Sequence, residues 1–174
     1  NRIALKNGVK LLFNTTVFES NVVEGNVVSI KALGKSQVIE LFADYYIDAR
    51  GDAELSMLSG CPYTIGREKD NLCQPMTLCF RLSGVDMEKF RINRNKINSL
   101  YTEFQKKGLI KNPRENVLIF SNFNDGVLHF NSTRIVKHNR TDPFAVTDAE
   151  MEAREQVFEL HQFLKENIEG FEHA

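Results

Sequence analysis

The sequence predicts a mixed α+β fold, and three features of its 174 residues carry that expectation. Glu24-Gly25-Asn26 and Asn124-Asp125-Gly126 are turn signals set between apolar, β-branched runs, as in antiparallel hairpins. Two other stretches, Asp86 to Lys107 and Thr147 toward Gly170, repeat apolar residues at the spacing of one helix face. Hydrophobic residues make up 42% of the chain, enough for a sizeable core.

In chain order, Ile3 to Asn7 followed by Gly8 reads as the last turn of a helix. Strand character then runs from Lys10 to Phe18, from Val27 to Leu33 and from Gln37 to Phe42, with a second turn at Gly34-Lys35-Ser36. These runs predict a three-stranded antiparallel meander. Tyr45 to Ala49 is a compact apolar run suited to a buried strand. Glu54 to Ser59 suits a short helix stopped by Gly60, and Pro62 and Gly66 mark a loop. Met76 to Ser83 is the next expected strand. Phe90, Ile97, Leu100, Tyr101 and Phe104 give the following helix one apolar face, and Gly108 ends it. Val117 to Phe123 and Val127 to Val136 should pair through a two-residue Asp-Gly turn. Thr147 is placed to open the last helix with Glu150 completing a capping box, and Met151, Val157, Leu160 and Leu164 continue its repeat. This order divides the chain into residues 1–60 and 61–174.

Composition excludes several classes of function. A formal net charge of -1 exerts no general attraction on nucleic acid or anionic lipid. The basic residues between Asp86 and Arg114 are not interleaved with a consistent aromatic platform and read as a solvated helix face. Apolar runs are too short to span a bilayer and the first residues lack a signal-peptide core, so the expectation is a soluble, cytoplasmic protein with neither nucleic-acid nor membrane partner. Cys61, Cys73 and Cys79 form no Cys-x-x-Cys pair and are expected to be small buried residues. His129, His138, His161 and His173 lack the spacing of a zinc site, and no Gly-x-Ser-x-Gly elbow supports a serine nucleophile.

The stretch Ile47-Asp48-Ala49-Arg50-Gly51-Asp52-Ala53-Glu54 passes from an apolar run through one glycine into a helix start. Gly51 permits close backbone approach, Asp52 is placed as the N-cap, and free amides at a helix start favour an anion. Preceded by a meander, and with Asn14-Thr15-Thr16-Val17 leading into that meander, this corner resembles the second half of a flavin-binding two-dinucleotide fold, with Arg50 in place of the usual threonine. Gly66-Arg67-Glu68-Lys69-Asp70, Gln74-Pro75-Met76-Thr77, Asn131-Ser132-Thr133-Arg134, Thr141-Asp142-Pro143 and Glu150-x-x-x-Arg154 extend the resemblance, over nearly the whole chain, to FAD-dependent oxidoreductases of mostly unassigned substrate.

The resemblance implies FAD as cofactor, with the Val17 backbone by the adenine and Ala49, Arg50, Gly51 and Asp52 by the pyrophosphate and ribityl side. It implies a Rossmann-like FAD-binding part followed by an α+β substrate or cap domain. None of the ten glycines is spaced Gly-x-Gly, so the fingerprint that cradles the pyrophosphate is expected upstream, in a longer flavoprotein whose remainder is this chain's first partner. For a small-molecule substrate the candidates are Arg67, Gln74, Asn131 and Arg134, the guanidinium groups being suited to two-point contact with a carboxylate. On one strand Asn131 and Arg134 would face opposite ways. The alternative reading is a non-catalytic α+β module that binds a ligand or protein and uses the corner only as a helix cap.

Overall fold

The structure, a computed structural model, describes residues 1–174 and separates into two compact units, Asn1–Thr64 and Ile65–Ala174. Both are mixed α and β with antiparallel sheets.

The first unit holds a short helix α1 (Arg2–Lys6), the meander β1 (Thr16–Val23), β2 (Asn26–Leu33) and β3 (Val38–Leu41), and a second short helix α2 (Glu54–Leu58). Glu24 and Gly25 both take positive φ, the geometry of a type I′ turn whose twist matches the paired strands. The first strand begins at Thr16 rather than Lys10 and runs on to Val23, because its register is fixed by that turn, Val23 facing Asn26. Tyr45 to Ala49 is not a strand. It pairs with nothing in the sheet, and Tyr45 and Ile47 are 87% and 88% exposed. Tyr46 ties the segment down instead: its hydroxyl accepts from the Ala43 amide (3.0 Å) and lies near the carbonyls of Val28 (3.2 Å) and Leu41 (3.3 Å). Ala32 and Leu55 are the only buried hydrophobic residues of this unit.

The second unit carries the large core. Its sheet has the order β4 (Phe80–Leu82), β6 (Leu128–Phe130), β5 (Ile119–Ser121), and the helices are α3 (Met87–Lys106) and α4 (Pro143–Asn167). Phe90, Ile97 and Tyr101 of α3 and Leu160, Phe163 and Leu164 of α4 pack with Leu128, Phe130 and Phe171 in one cluster. Asp86 caps α3 through bonds from the amides of Glu88 (3.0 Å) and Lys89 (3.1 Å). The last helix begins at Pro143 rather than Thr147: Asp142 accepts from the Phe144 amide, proline occupies the first turn, and the Thr147 hydroxyl bonds back to the Pro143 carbonyl. Six residues, Asn122 to Val127, separate β5 from β6, so Asp125-Gly126 sits inside a longer loop rather than forming a two-residue turn.

The strands expected over Met76 to Ser83 and Val127 to Val136 are both short, for one physical reason. Phe80 faces Phe130, but Met76 bridges Ile135, so the register slips by one residue between those pairs. Across the slip, side chains replace the backbone ladder. The Thr133 hydroxyl accepts from the Leu78 amide (2.8 Å) and contacts its carbonyl (3.2 Å). On the other edge the Ser132 hydroxyl does the same to Leu118 (2.9 and 3.0 Å), and the Gln156 amide of α4 bonds both the N–H and the carbonyl of Arg134 (2.7 and 3.0 Å). The cysteines are not core residues: Cys61 is exposed in a stretch, Gly60 to Leu72, that runs exposed throughout, Cys73 is half-buried, and Cys79 is exposed between Leu78 and Phe80, which pack against the core instead.

Thr133→Val keeps the volume but leaves the Leu78 amide without its acceptor. We expect urea unfolding of the second unit to show a loss of about 2 kcal/mol, the typical cost of an unsatisfied buried donor. An unchanged midpoint would show that water replaces the hydroxyl.

Candidate functional site

The corner of the first unit is organised by Asp48. Its Oδ1 accepts from the Arg50 amide (3.2 Å) and its Oδ2 from the Ser56 amide (2.8 Å) and hydroxyl (3.1 Å), so one carboxylate closes the loop from 48 to 56. Asp52 is not the N-cap. The helix starts behind Ala53 in a left-handed conformation (φ 52°) without a side-chain cap, and Asp48 satisfies one of its orphan amides. A five-residue helix whose amide already binds a carboxylate offers no anion site of its own. The sequence carries a local signal for Asp48: an aspartate two residues before a backbone donor is an Asx-turn pattern. The Ser56 amide chiefly, helped by Arg50, holds the Asp48 carboxyl below the usual carboxylate range.

Arg50 folds back over the corner. Its Nη1 donates to the Val17 carbonyl (3.1 Å), which joins two of the expected cofactor residues, and its Nε lies 3.1 Å from Glu54 and 3.6 Å from Asp48. Nε and Nη2 are nevertheless shut off from solvent without a hydrogen bond, since the approach of Glu54 has ion-pair distance but not hydrogen-bond direction. Beside them Gly51 faces open space, with nothing within 4 Å of where a Cβ would stand. The open Gly51 backbone beside a guanidinium that is only part-buried has the donor chemistry that suits a phosphate oxygen. The fit is one of hydrogen-bond donors rather than of net charge, because Asp48 and Glu54 already balance the guanidinium. Ala49 and Asp52 lie exposed in the same loop.

The substrate candidates lie in the second unit, and the structure brings two of them together. Arg67 and Gln74 line an open cleft of about 710 Å³ between the loop Gly66 to Met76 and the segment Ile135 to His138. The loop needs its glycine: Gly66 has φ +64° and a Cβ there would stand 2.4 Å from the Asn71 carbonyl oxygen. Arg67 makes two bonds of 2.6 Å to Asp70, which lower the Asp70 carboxyl and raise the guanidinium further above its usual value. Asn131 and Arg134 do not line this cleft. Asn131 is half-buried and its amide donates to the Leu118 carbonyl (3.1 Å), whereas the Arg134 guanidinium is engaged by Glu115. The strand ends at Phe130, so strand alternation does not describe their placement. Lys137 and His138 also line the cleft, and nothing in the sequence signalled them, since the Met76–Ile135 bridge that sets them there is a long-range contact. No helix is long and apolar enough to cross a membrane.

A lowered aspartate stabilises above its unfolded pKa of about 4, and that contribution disappears as pH falls through the lowered folded value. The melting temperature of Asp48→Ala should therefore fall below that of the parent at neutral pH, and the gap should close in acid. A gap independent of pH would mean that the carboxylate charge contributes nothing to the corner.

Comparison with known proteins gives one match: the family model described as FAD dependent oxidoreductase covers residues 1–174. No curated protein and no solved structure matches the chain significantly.

Proposed function

The chain belongs to the FAD dependent oxidoreductase family, and from that membership we propose that it forms the second side of an FAD site together with the substrate-facing part of a flavoprotein of the two-dinucleotide superfamily. The observation that carries this reading beyond the family is the corner at residues 48–56, where Arg50, held by the Val17 carbonyl and by Glu54, keeps Nη2 without a hydrogen-bond partner in the loop that carries the open Gly51 backbone. In this reading Arg50 and the backbone of Ala49, Gly51 and Asp52 hold the pyrophosphate and ribityl side, and the Val17 backbone lies toward the adenine. The Val17 carbonyl is already taken by Arg50, so its part is to fix the guanidinium in place.

Bound FAD would accept the hydride or electrons, while the protein orients the substrate and excludes water. Here Arg67 and Gln74 position a small molecule along the cleft, and Asn131 and Arg134 support the segment that leads into it. Gly-x-Gly-x-x-Gly lies outside residues 1–174 in this scheme, in a Rossmann-like part that the meander completes. The exposed Phe13, Phe42, Tyr45 and Ile47 of the first unit are the surface that this remainder of the flavoprotein covers.

The test is the visible absorption spectrum of the whole flavoprotein, parent and Gly51→Val. The backbone at Gly51 does not take positive φ and the site is open, so valine is compatible with the fold. We expect flavin bands in the parent and at least about a tenfold weaker retention in the variant, as a side chain placed in the ligand's path costs roughly 1.4 kcal/mol or more, with the melting temperature of the flavin-free forms nearly equal. A parent that takes up no flavin when correctly folded would defeat the proposal; equal retention would remove Gly51 from the site.

A further inference from the structure

The cleft in the second unit has a chemical bias that narrows what it can take. Leu72, Pro75, Met76, Ile135 and Val136 give it an apolar body, and no carboxylate lines it. Its volume, about 710 Å³, is within the range of small-molecule sites. Three basic side chains stand along it, and two of them are already engaged. Arg67 is held by Asp70 through both carboxylate oxygens, and His138 Nε2 lies 3.0 Å from Glu152. Lys137 makes neither an ion pair nor a hydrogen bond.

Lys137 also stands on an unusual backbone. Its φ is +65°, in the left-handed region that glycine adopts without strain and a lysine does not. The residue is fixed there from both sides: Met76 and Ile135 exchange two backbone bonds (2.9 and 3.0 Å) just before it, and Glu152 of α4 holds His138 just after it. A strained backbone that carries an unpaired ammonium beside an apolar cleft keeps the one basic group there that no carboxylate holds.

We propose that the substrate of this oxidoreductase is an elongated apolar molecule carrying a carboxylate or comparable anionic group, with its body along Leu72, Pro75, Met76, Ile135 and Val136 and its charge on Lys137. The inference rests on the flavin-site reading above for the role of substrate, and on the cleft alone for the chemistry. Arg67 and His138, each held by a carboxylate partner, shape the rim and leave the anion to Lys137. Gln74 supplies a neutral amide for a second polar group.

The experiment is calorimetric titration of the full-length flavoprotein with octanoate and, separately, octan-1-ol, in the parent and in Lys137→Gly, with flavin content read from the absorption spectrum of each sample. The parent should bind octanoate more tightly than the alcohol. Glycine relieves the backbone, so the variant should melt higher while its octanoate affinity falls by about fivefold, the share of one partly exposed ion pair; its affinity for the alcohol should not change. Stability and anion affinity moving in opposite directions is the outcome that a merely structural lysine would not produce. Equal affinity for acid and alcohol in the parent, or undiminished octanoate binding by a folded variant, would overturn the proposal. Flavin-free protein that still binds octanoate through Lys137 would support the anion cleft and count against the flavin reading; flavin-replete protein indifferent to octanoate's charge would do the reverse.

Discussion

The second unit depends on four residues, Ser132 to Ile135, that run through its centre without a regular strand. Three are almost fully buried, and a buried backbone must find partners for every N–H and C=O. A slipped register leaves the main chain out of step with its neighbour, so the hydroxyls of Ser132 and Thr133 and the amide of Gln156 complete the bonding. With those bonds made, Ile135 meets Met76 and the chain emerges at Lys137 beside the cleft. The placement of the cleft wall is thus a consequence of polar satisfaction in the core, and the hydrophobic cluster of α3, α4 and the sheet supplies the surroundings in which those bonds are strong.

The first unit works under a different constraint. With two hydrophobic residues buried, it gains little from packing, and its loops are held by individual polar groups: Tyr46 at the exit of β3, Asp48 around the corner, Arg50 back onto β1. Such a unit is shaped by hydrogen bonds and strand pairing more than by a core. The same arrangement leaves Nη2 of Arg50 without a hydrogen-bond partner.

The range of each interaction decides what the sequence announces. Local signals were sufficient for the Glu24-Gly25 turn, for α3 from its cap at Asp86 to its end before Gly108, and for the buried face Phe90, Ile97, Tyr101, because each depends on residues within a few positions. The periodicity of the last helix is legible but its start is not, since Asp142-Pro143 is an equally local cap that competes with Thr147 and wins. Tyr45 to Ala49 has the apolar composition of a strand, but composition does not supply a pairing partner. At the candidate site, Arg67 and Gln74 were drawn to one cleft, whereas the role of Asp48 and the presence of Lys137 follow from contacts that close only in three dimensions.

The segment Ser132 to Ile135 has a temporal consequence as well as a spatial one. Its partners are distant along the chain: Leu78 lies 55 residues before Thr133, Leu118 lies 14 before Ser132, and Gln156 lies 22 after Arg134. Contacts of such separation require large loops to close before they return any stabilisation. A chain emerging from the ribosome cannot complete this knot of bonds until Gln156 of α4 has been made. The cleft wall is accordingly among the last features of the unit to be built, and its geometry appears together with the whole unit rather than ahead of it.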